Sequence, residues 1–357
     1  MIDRLNINEF INRSLNALVI DVRSPSEYFH AHFPGAHNIP LFNDEERKVV
    51  GTVYKQESRE KGIKIGLDFF GPKMKTIVEE TENLSHSVSG NESEEANSNK
   101  PKKEIFIYCW RGGMRSAAIA WLLDLYGFKV SVLSGGYKSY RNYVLNLLSL
   151  PYRLYVLGGY TGSGKTELLH ELKKTGESII DLEQIASHKG SAFGSIGLPK
   201  QPSQEMFENL LALDLSVLNT EDVIWIEDES QRIGLINIPK TFWETIRNAP
   251  VCFLDIPFEE RLKHIVSEYG QFEKTILAEA ILRITKRLGG LETKNALQFL
   301  EQDDLTECFR ILLKYYDKSY LKGLHNRQSL TSMLTTINCK SVDPANANLL
   351  PIKREFA

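Results

Sequence analysis

Short apolar runs alternate with amphipathic stretches along this chain. ALVIDV (Ala17–Val22), EIFIYC (Glu104–Cys109) and KVSVL (Lys129–Leu133) are brief and rich in Ile and Val, which predicts buried strands. Between them, PSEYFHAH, residues 44–56, residues 66–84 and GMRSAAIAWLLDLYGF carry helical spacing, the last with a glycine near its end. FPGAHNIP reads as a turn-rich loop. After residue 150 the alternation resumes. RLYVLGG, SIIDLE, DVIWIED and PVCFLD are predicted strands, and helical patterning dominates residues 258–316. The last forty residues mix both patterns with Asn and Pro and predict no element. Strands alternating with helices predict an α/β fold built on open sheets.

One stretch breaks the rhythm. Residues 85–103, SHSVSGNESEEANSNKPKK, contain no aromatic residue and one aliphatic one, Val88. Such a segment buries too little apolar area to offset its ordering entropy. It is expected to be a mobile surface insertion within a first domain of residues 1–148. SLPY, near 149–152, marks the expected boundary, and residues 152–357 form the expected second domain with a helical C-terminal part.

Composition narrows the class. Of 357 residues, 42% are hydrophobic and 25% charged, as in a soluble globular chain. No apolar run is long enough to span a bilayer, and MIDRLNINEF lacks the apolar core of an export signal, so a cytoplasmic protein without a membrane partner is expected. The net charge of −3 does not advertise a polyanion partner. Local basic faces around Lys138, Arg141 and Arg153, or around Lys286 and Arg287, read either as solvated surface or as contact points. The four cysteines form no CxxC, which argues against a zinc site or a redox pair. Cys252 and Cys308 lie in core-like patterns and Cys339 in a polar tail; none is a candidate nucleophile.

Cys109 differs. YCWRGGMRS (Tyr108–Ser116) sets a cysteine at the end of a predicted strand, ahead of a glycine loop that opens a helix. Loop amides and the helix dipole favour thiolate over thiol at such a position. Gly112 and Gly113 let the backbone curl. Arg115 can grip an anion bidentately, Arg111 adds charge, and Ser116 can orient the group. Cys109, Arg111 and Arg115 are therefore the candidate catalytic residues, with Trp110 and Met114 completing the loop. The competing reading is a buried structural cysteine in a βα turn.

The second motif is Gly159, Tyr160, Thr161, Gly162, Ser163, Gly164, Lys165 and Thr166, which fit G-x4-G-K-[ST] between a predicted strand and helix. Its amides would cradle a diphosphate, Lys165 would neutralise charge, and the Thr166 hydroxyl could bind Mg²⁺. The strand DVIWIEDES ends in Glu227, Asp228, Glu229 and Ser230, and Asp228 is the expected second Mg²⁺ holder. The loop does not specify the diphosphate; ATP is the common occupant.

The first domain resembles the rhodanese family, whose early motif is matched by DVRSPSEYFHAHFPGAHNIP (Asp21–Pro40) and whose active loop is matched by CWRGGMRS. Arg115 lies six residues after Cys109, one more than in common sulfurtransferase loops. That is the spacing of cysteine phosphatases, so a phosphatase reading stays open for this domain alone.

The ordered set YCWRGGMRS, SGGYKSYR, GGYTGSGKTELL, DLEQIASHKGSAFG, QPSQEMFENLL, IWIEDESQRIG and YYDKSY is similar to the bacterial tRNA 2-selenouridine synthases over about residues 17–320. The resemblance implies a rhodanese-like domain followed by a P-loop α/β domain, and the wide cysteine loop is one that family carries. It implies an enzyme acting on wobble 2-thiouridine in tRNA. A geranyl group would pass from geranyl diphosphate to the 2-sulfur, and selenium from selenophosphate would then replace the geranylated sulfur. Cys109 would accept selenium as a perselenide or position its donor. Asp181, Glu183, His188 and Ser191, with Glu227–Glu229, would line the second site. No tightly bound cofactor is implied beyond Mg²⁺, and a selenophosphate synthetase would be the source of donor. The main rival is a sulfurtransferase coupled to an ATPase or kinase; a non-enzymatic scaffold is the other.

Overall fold

A computed structural model describes residues 2–87, 104–327 and 330–351. The chain divides into two compact units between Asn146 and Leu147. The first holds a five-stranded sheet of β1 (Asp3–Leu5), β2 (Leu18–Asp21), β3 (His37–Asn38), β4 (Glu104–Tyr108) and β5 (Lys129–Leu133), in the order β1-β5-β4-β2-β3. Every pairing is parallel. Parallel sheets are covered on both faces, so their strands read as continuous apolar runs rather than alternating ones. Ile20, Ile105, Ile107 and Val130 are accordingly buried. β4 is the central strand, which brings Cys109 to the carboxyl edge of the sheet, where open α/β folds place their ligands.

Helix boundaries follow local chemistry. Asn43 and Glu46 form a capping box that starts the helix Asp44–Gln56. The single helix expected over 66–84 is in fact two, Arg59–Phe70 and Met74–Ser87, separated by a 3₁₀ turn at Gly71–Lys73. Pro72 stands in that turn and has no N–H to continue an α-helical ladder. Ser85–Ser87, expected in the polar insertion, finish the second helix; the rest of that insertion, 88–103, lies outside the described residues. The helix Ile7–Ser14 and β1 add to the elements expected from sequence.

The second unit carries β6 (Arg153–Gly159), β7 (Ser178–Ile180), β8 (Val223–Glu227), the short hairpin β9 (Arg232–Ile233) and β10 (Ile236–Asn237), β11 (Val251–Asp255) and β12 (Leu334–Asn338). Its main sheet has the order β12-β11-β6-β8-β7, again all parallel. The phosphate loop follows the central strand β6, and the helix Lys165–Lys174 follows the loop. Beyond β11 come five helices ending in Leu305–His325. The tail without an expected element therefore supplies an edge strand. Cys252 and Cys308 are buried in apolar surroundings, and burial pushes each thiol up to about 12. Cys339, expected in a polar tail, is buried as well. Among the described residues, no helix is long and apolar enough to cross a membrane.

Candidate functional sites: a cysteine loop and a phosphate loop

In the first unit, Cys109 leaves β4 with only 3% of its surface exposed. Its Sγ lies 3.2 Å from Ser116 Oγ, and that hydroxyl is 3.1 Å from the Gly113 carbonyl. The loop is clamped from behind. The amides of Tyr137 and Lys138 donate to the carbonyls of Cys109 and Trp110 at 2.8 and 3.1 Å. Gly136, at φ +59°, makes this approach possible, because a Cβ there would fall 2.3 Å from the Cys109 carbonyl oxygen. The helix Met114–Tyr126 starts directly after the loop, and Gly113 gives its first turn no side-chain cap. Trp110, Arg111 and Met114 are exposed.

Arg115 does not stand free to grip an anion, as its spacing suggested. It donates to Glu27 Oε2 at 2.7 Å, and Arg47 approaches the same oxygen at 3.0 Å. Burial alone would raise the Glu27 carboxyl, but hydrogen bonding and charge from Arg115 hold it below its ordinary value. The physical reason is that Glu27, in the first turn of the short helix Pro25–His30, is a fixed internal counter-ion. Asp21 and Arg23 are also structural partners of the loop. They form a buried pair at 2.6 Å, Tyr108 donates to Asp21 at 2.8 Å, and the Arg23 guanidinium lies 3.8 Å from the centre of the Tyr137 ring. Asp21, Arg23 and Glu27 all lie in the rhodanese-like segment Asp21–Pro40, whose motif assigns them no individual task.

The phosphate loop in the second unit is shaped by Gly159, Gly162 and Gly164, all at positive φ. Ser163 donates to the Tyr160 carbonyl at 2.6 Å, and Lys165 Nζ donates to the Gly159 carbonyl at 3.2 Å. Thr166 donates to Glu183 Oε2 at 3.0 Å, while the Glu183 amide donates to Glu227 Oε1 at the same distance. Asp181 caps the next short helix through the Gln184 amide and pairs with His170 at 2.7 Å.

These acids crowd one another. Burial, followed by the charge of Asp181 and Glu183, holds Glu227 well above the ordinary carboxyl range. Glu229 is raised in the same sense, by burial and then by Glu183, with which it shares a hydrogen bond. Two carboxyls can share a hydrogen bond only when one keeps its proton.

Thr166 and Asp228 do not form the expected Mg²⁺ pair. Asp228 accepts from Tyr320 at 2.8 Å on one oxygen and from Arg327 at 2.5 Å on the other, while Thr166 is turned to Glu183. Both oxygens of Asp228 are thus already hydrogen-bonded, and Thr166 faces a different acid. Among the described residues, no group of three or more His, Cys, Asp or Glu side chains is arranged to hold a metal ion.

A cleft of about 1000 Å³ opens over the phosphate loop. Of the expected second-site residues, Glu183, Ser191, Asp228 and Glu229 line it, whereas Asp181, His188 and Glu227 do not. His188 is buried against Gly194 and Gly234, and its Nδ1 has no protein partner. Its burial lowers its affinity for a proton. Trp243, Arg247 and His264 also line the cleft and carried no sequence motif. Arg261 is another residue that motifs missed. It donates to the Thr161 carbonyl at 3.1 Å and pairs with Asp317 at 2.8 Å. Asp317 and Tyr320 lie in the segment YYDKSY.

Comparison with known proteins aligns with this geometry. Residues 152–342 match the family model described as the tRNA 2-selenouridine synthase AAA domain, and residues 7–143 match the rhodanese-like domain. A tRNA 2-selenouridine synthase of Hydrogenovibrio crunogenus is 36% identical over 346 residues, covering 88% of this chain and 91% of its own. One of Bdellovibrio bacteriovorus is 33% identical, covering 87% and 90%. Among solved structures, a rhodanese-like domain protein from Staphylococcus aureus covers 39% of this chain and 90% of its own, at 19% identity and a TM-score of 0.21.

Proposed function

The chain belongs to the tRNA 2-selenouridine synthase family, and on that premise we propose that it converts wobble 2-thiouridine in tRNA to 2-selenouridine in two steps, using geranyl diphosphate and then selenophosphate. In the first step the 2-sulfur attacks C1 of the geranyl group. A C–S bond forms, the C–O bond to diphosphate breaks, and the base loses its N3 proton. Lys165 is placed to exchange its contact with the Gly159 carbonyl for the departing diphosphate, and the loop amides accept the charge that builds on the leaving oxygens.

Alkylation turns a thiocarbonyl sulfur into a better leaving group. In the second step the selenium of selenophosphate attacks C2, the C2–S bond breaks and geranylthiolate leaves. Water then cleaves the Se–P bond and releases phosphate. The Cys109 loop is the proposed seat of selenophosphate, through its curled amides, the uncapped helix start and Arg111. Arg115 contributes by fixing the loop to Glu27.

The observation that carries this reading is that one chain of this family ends two central parallel strands in two different glycine-rich loops, one carrying Cys109 and one Lys165. The test is direct. Full-length protein is incubated with 2-thiouridine tRNA and geranyl diphosphate, with and without selenophosphate, and the nucleosides are weighed by mass spectrometry. An S-geranylated nucleoside without selenophosphate, and a selenated one with it, is the expected result. Unmodified 2-thiouridine under both conditions overturns the reading and favours a sulfurtransferase coupled to an ATPase.

A further inference from the structure

The first unit contains a second cleft, of about 780 Å³, that the reaction scheme above does not use. That volume falls in the range of roughly 300–1,000 Å³ typical of small-molecule sites. Its walls are the helices Asp44–Gln56 and Arg59–Phe70 on one side and the start of the helix Met114–Tyr126 on the other. Leu41, Phe42 and Phe70 form its floor, and they belong to the same apolar cluster as Cys109. Tyr54, Leu67 and Met114 line it while remaining exposed, at 39%, 57% and 48% of their surfaces. Exposed apolar side chains gathered around one concavity mark a binding site more than solvated surface.

Two further features define the occupant. Lys48 and Lys55 stand exposed on the lining, beside one carboxylate, Asp44, and an Arg47 that is paired with Glu27, so the apolar interior has a rim that is cationic on balance. Met114 and Arg115 bound the cleft, and one residue further Ser116 touches the Cys109 sulfur at 3.2 Å. The cleft therefore opens within about a turn of helix of the proposed selenium seat. An uncharged hydrocarbon attached to a polyanion, presented beside the cysteine loop, satisfies the wall, the rim and the position together.

We propose that this cleft holds the geranyl chain of the S-geranylated tRNA during selenium exchange. The inference rests on the two-step reading above and deepens it. The cleft makes the second step selective for a geranylated sulfur over one bearing a shorter chain.

Gly51 provides the test. It lies inside the helix Asp44–Gln56 and lines the cleft, and a Cβ added there would meet nothing within 4 Å. Glycine is also a poor residue for a helix interior. Gly51→Leu should therefore fill the cleft without disturbing the fold, and thermal unfolding of the full chain would check that directly. Selenation by full-length protein is measured on two tRNA substrates, one carrying S-geranyl- and one S-methyl-2-thiouridine. Wild type should prefer the geranylated tRNA by at least about tenfold in kcat/KM, a modest figure for a pocket that distinguishes chains by several carbons. Gly51→Leu should lose most of that preference through a raised KM, with the S-methyl substrate changed by less than about twofold. Gly51→Ala should lie between them. Equal use of both substrates by wild type, or an unchanged preference in Gly51→Leu, overturns the inference while leaving the two-step reaction standing. Failure of wild type to selenate either substrate overturns the reaction itself.

Discussion

The Tyr320 hydroxyl accepts the amide of Gly159, the first glycine of the phosphate loop, at 3.0 Å across 161 positions of sequence. The same hydroxyl donates to Asp228, which Arg327 engages on its other oxygen. Gly158 permits this approach, because a Cβ there would sit 3.0 Å from the Tyr320 oxygen. The phosphate loop is thus held in shape by the last long helix. Tyr320→Phe removes both of these hydrogen bonds and leaves the Gly159 amide and one Asp228 oxygen each short of a partner, a loss of about 1–3 kcal/mol. The expected outcome is a lower melting temperature and a KM for geranyl diphosphate raised about three- to tenfold. Unchanged melting and unchanged KM would show that the latch is idle.

Cys109→Ser should abolish selenation and leave geranyl transfer within about twofold, because the two chemistries are assigned to different units. Single-turnover assays of each step on the same preparation would show the split. Parallel loss of both steps in a variant of normal melting temperature would refute the division of labour.

Lys165→Ala should act on the other step. Removing the cation beside the leaving diphosphate is expected to lower kcat/KM for geranyl transfer by about a hundredfold, comparable to the loss of one charge-stabilising donor elsewhere. Selenation of tRNA supplied already geranylated should survive. An unaltered rate of geranyl transfer at subsaturating diphosphate would contradict the assignment of Lys165.

The acid cluster predicts a pH dependence. Burial and the charge of Glu183 raise the affinity of Glu229 for its proton. Below that raised pKa Glu229 is neutral; above it Glu229 adds a negative charge beside the loop that receives an anion. Binding of inorganic diphosphate should therefore weaken as pH rises through that value. Calorimetric titration of the full chain across pH would measure it. Glu229→Gln cannot gain that charge, so its binding should weaken less with rising pH than that of the wild type. Superimposable profiles for the two proteins would remove Glu229 from the account.

What could be read directly from the chain was local. A strand, a tight loop and a helix lie consecutively in sequence, so apolar runs and glycine spacing mark both Cys109 at the end of β4 and the phosphate loop at the end of β6. The α/β class followed from the same alternation. The break at Gly71–Lys73 does not show in the sequence, because the apolar spacing of 66–84 runs through the turn.

Tertiary structure decided which groups are already spoken for. Arg115 carries an anion-binding signature by spacing, yet its charge is met by Glu27, 88 positions earlier. Asp228 has the position of a metal ligand, yet Tyr320 and Arg327 engage both its oxygens from more than ninety positions away. The tail that shows no clear periodicity becomes β12, because its register is set by pairing with β11 and not by an alternating face of its own. Periodicity reports how a segment meets a core, over a few residues. Charge pairing and strand addition are settled by partners that only folding brings within reach.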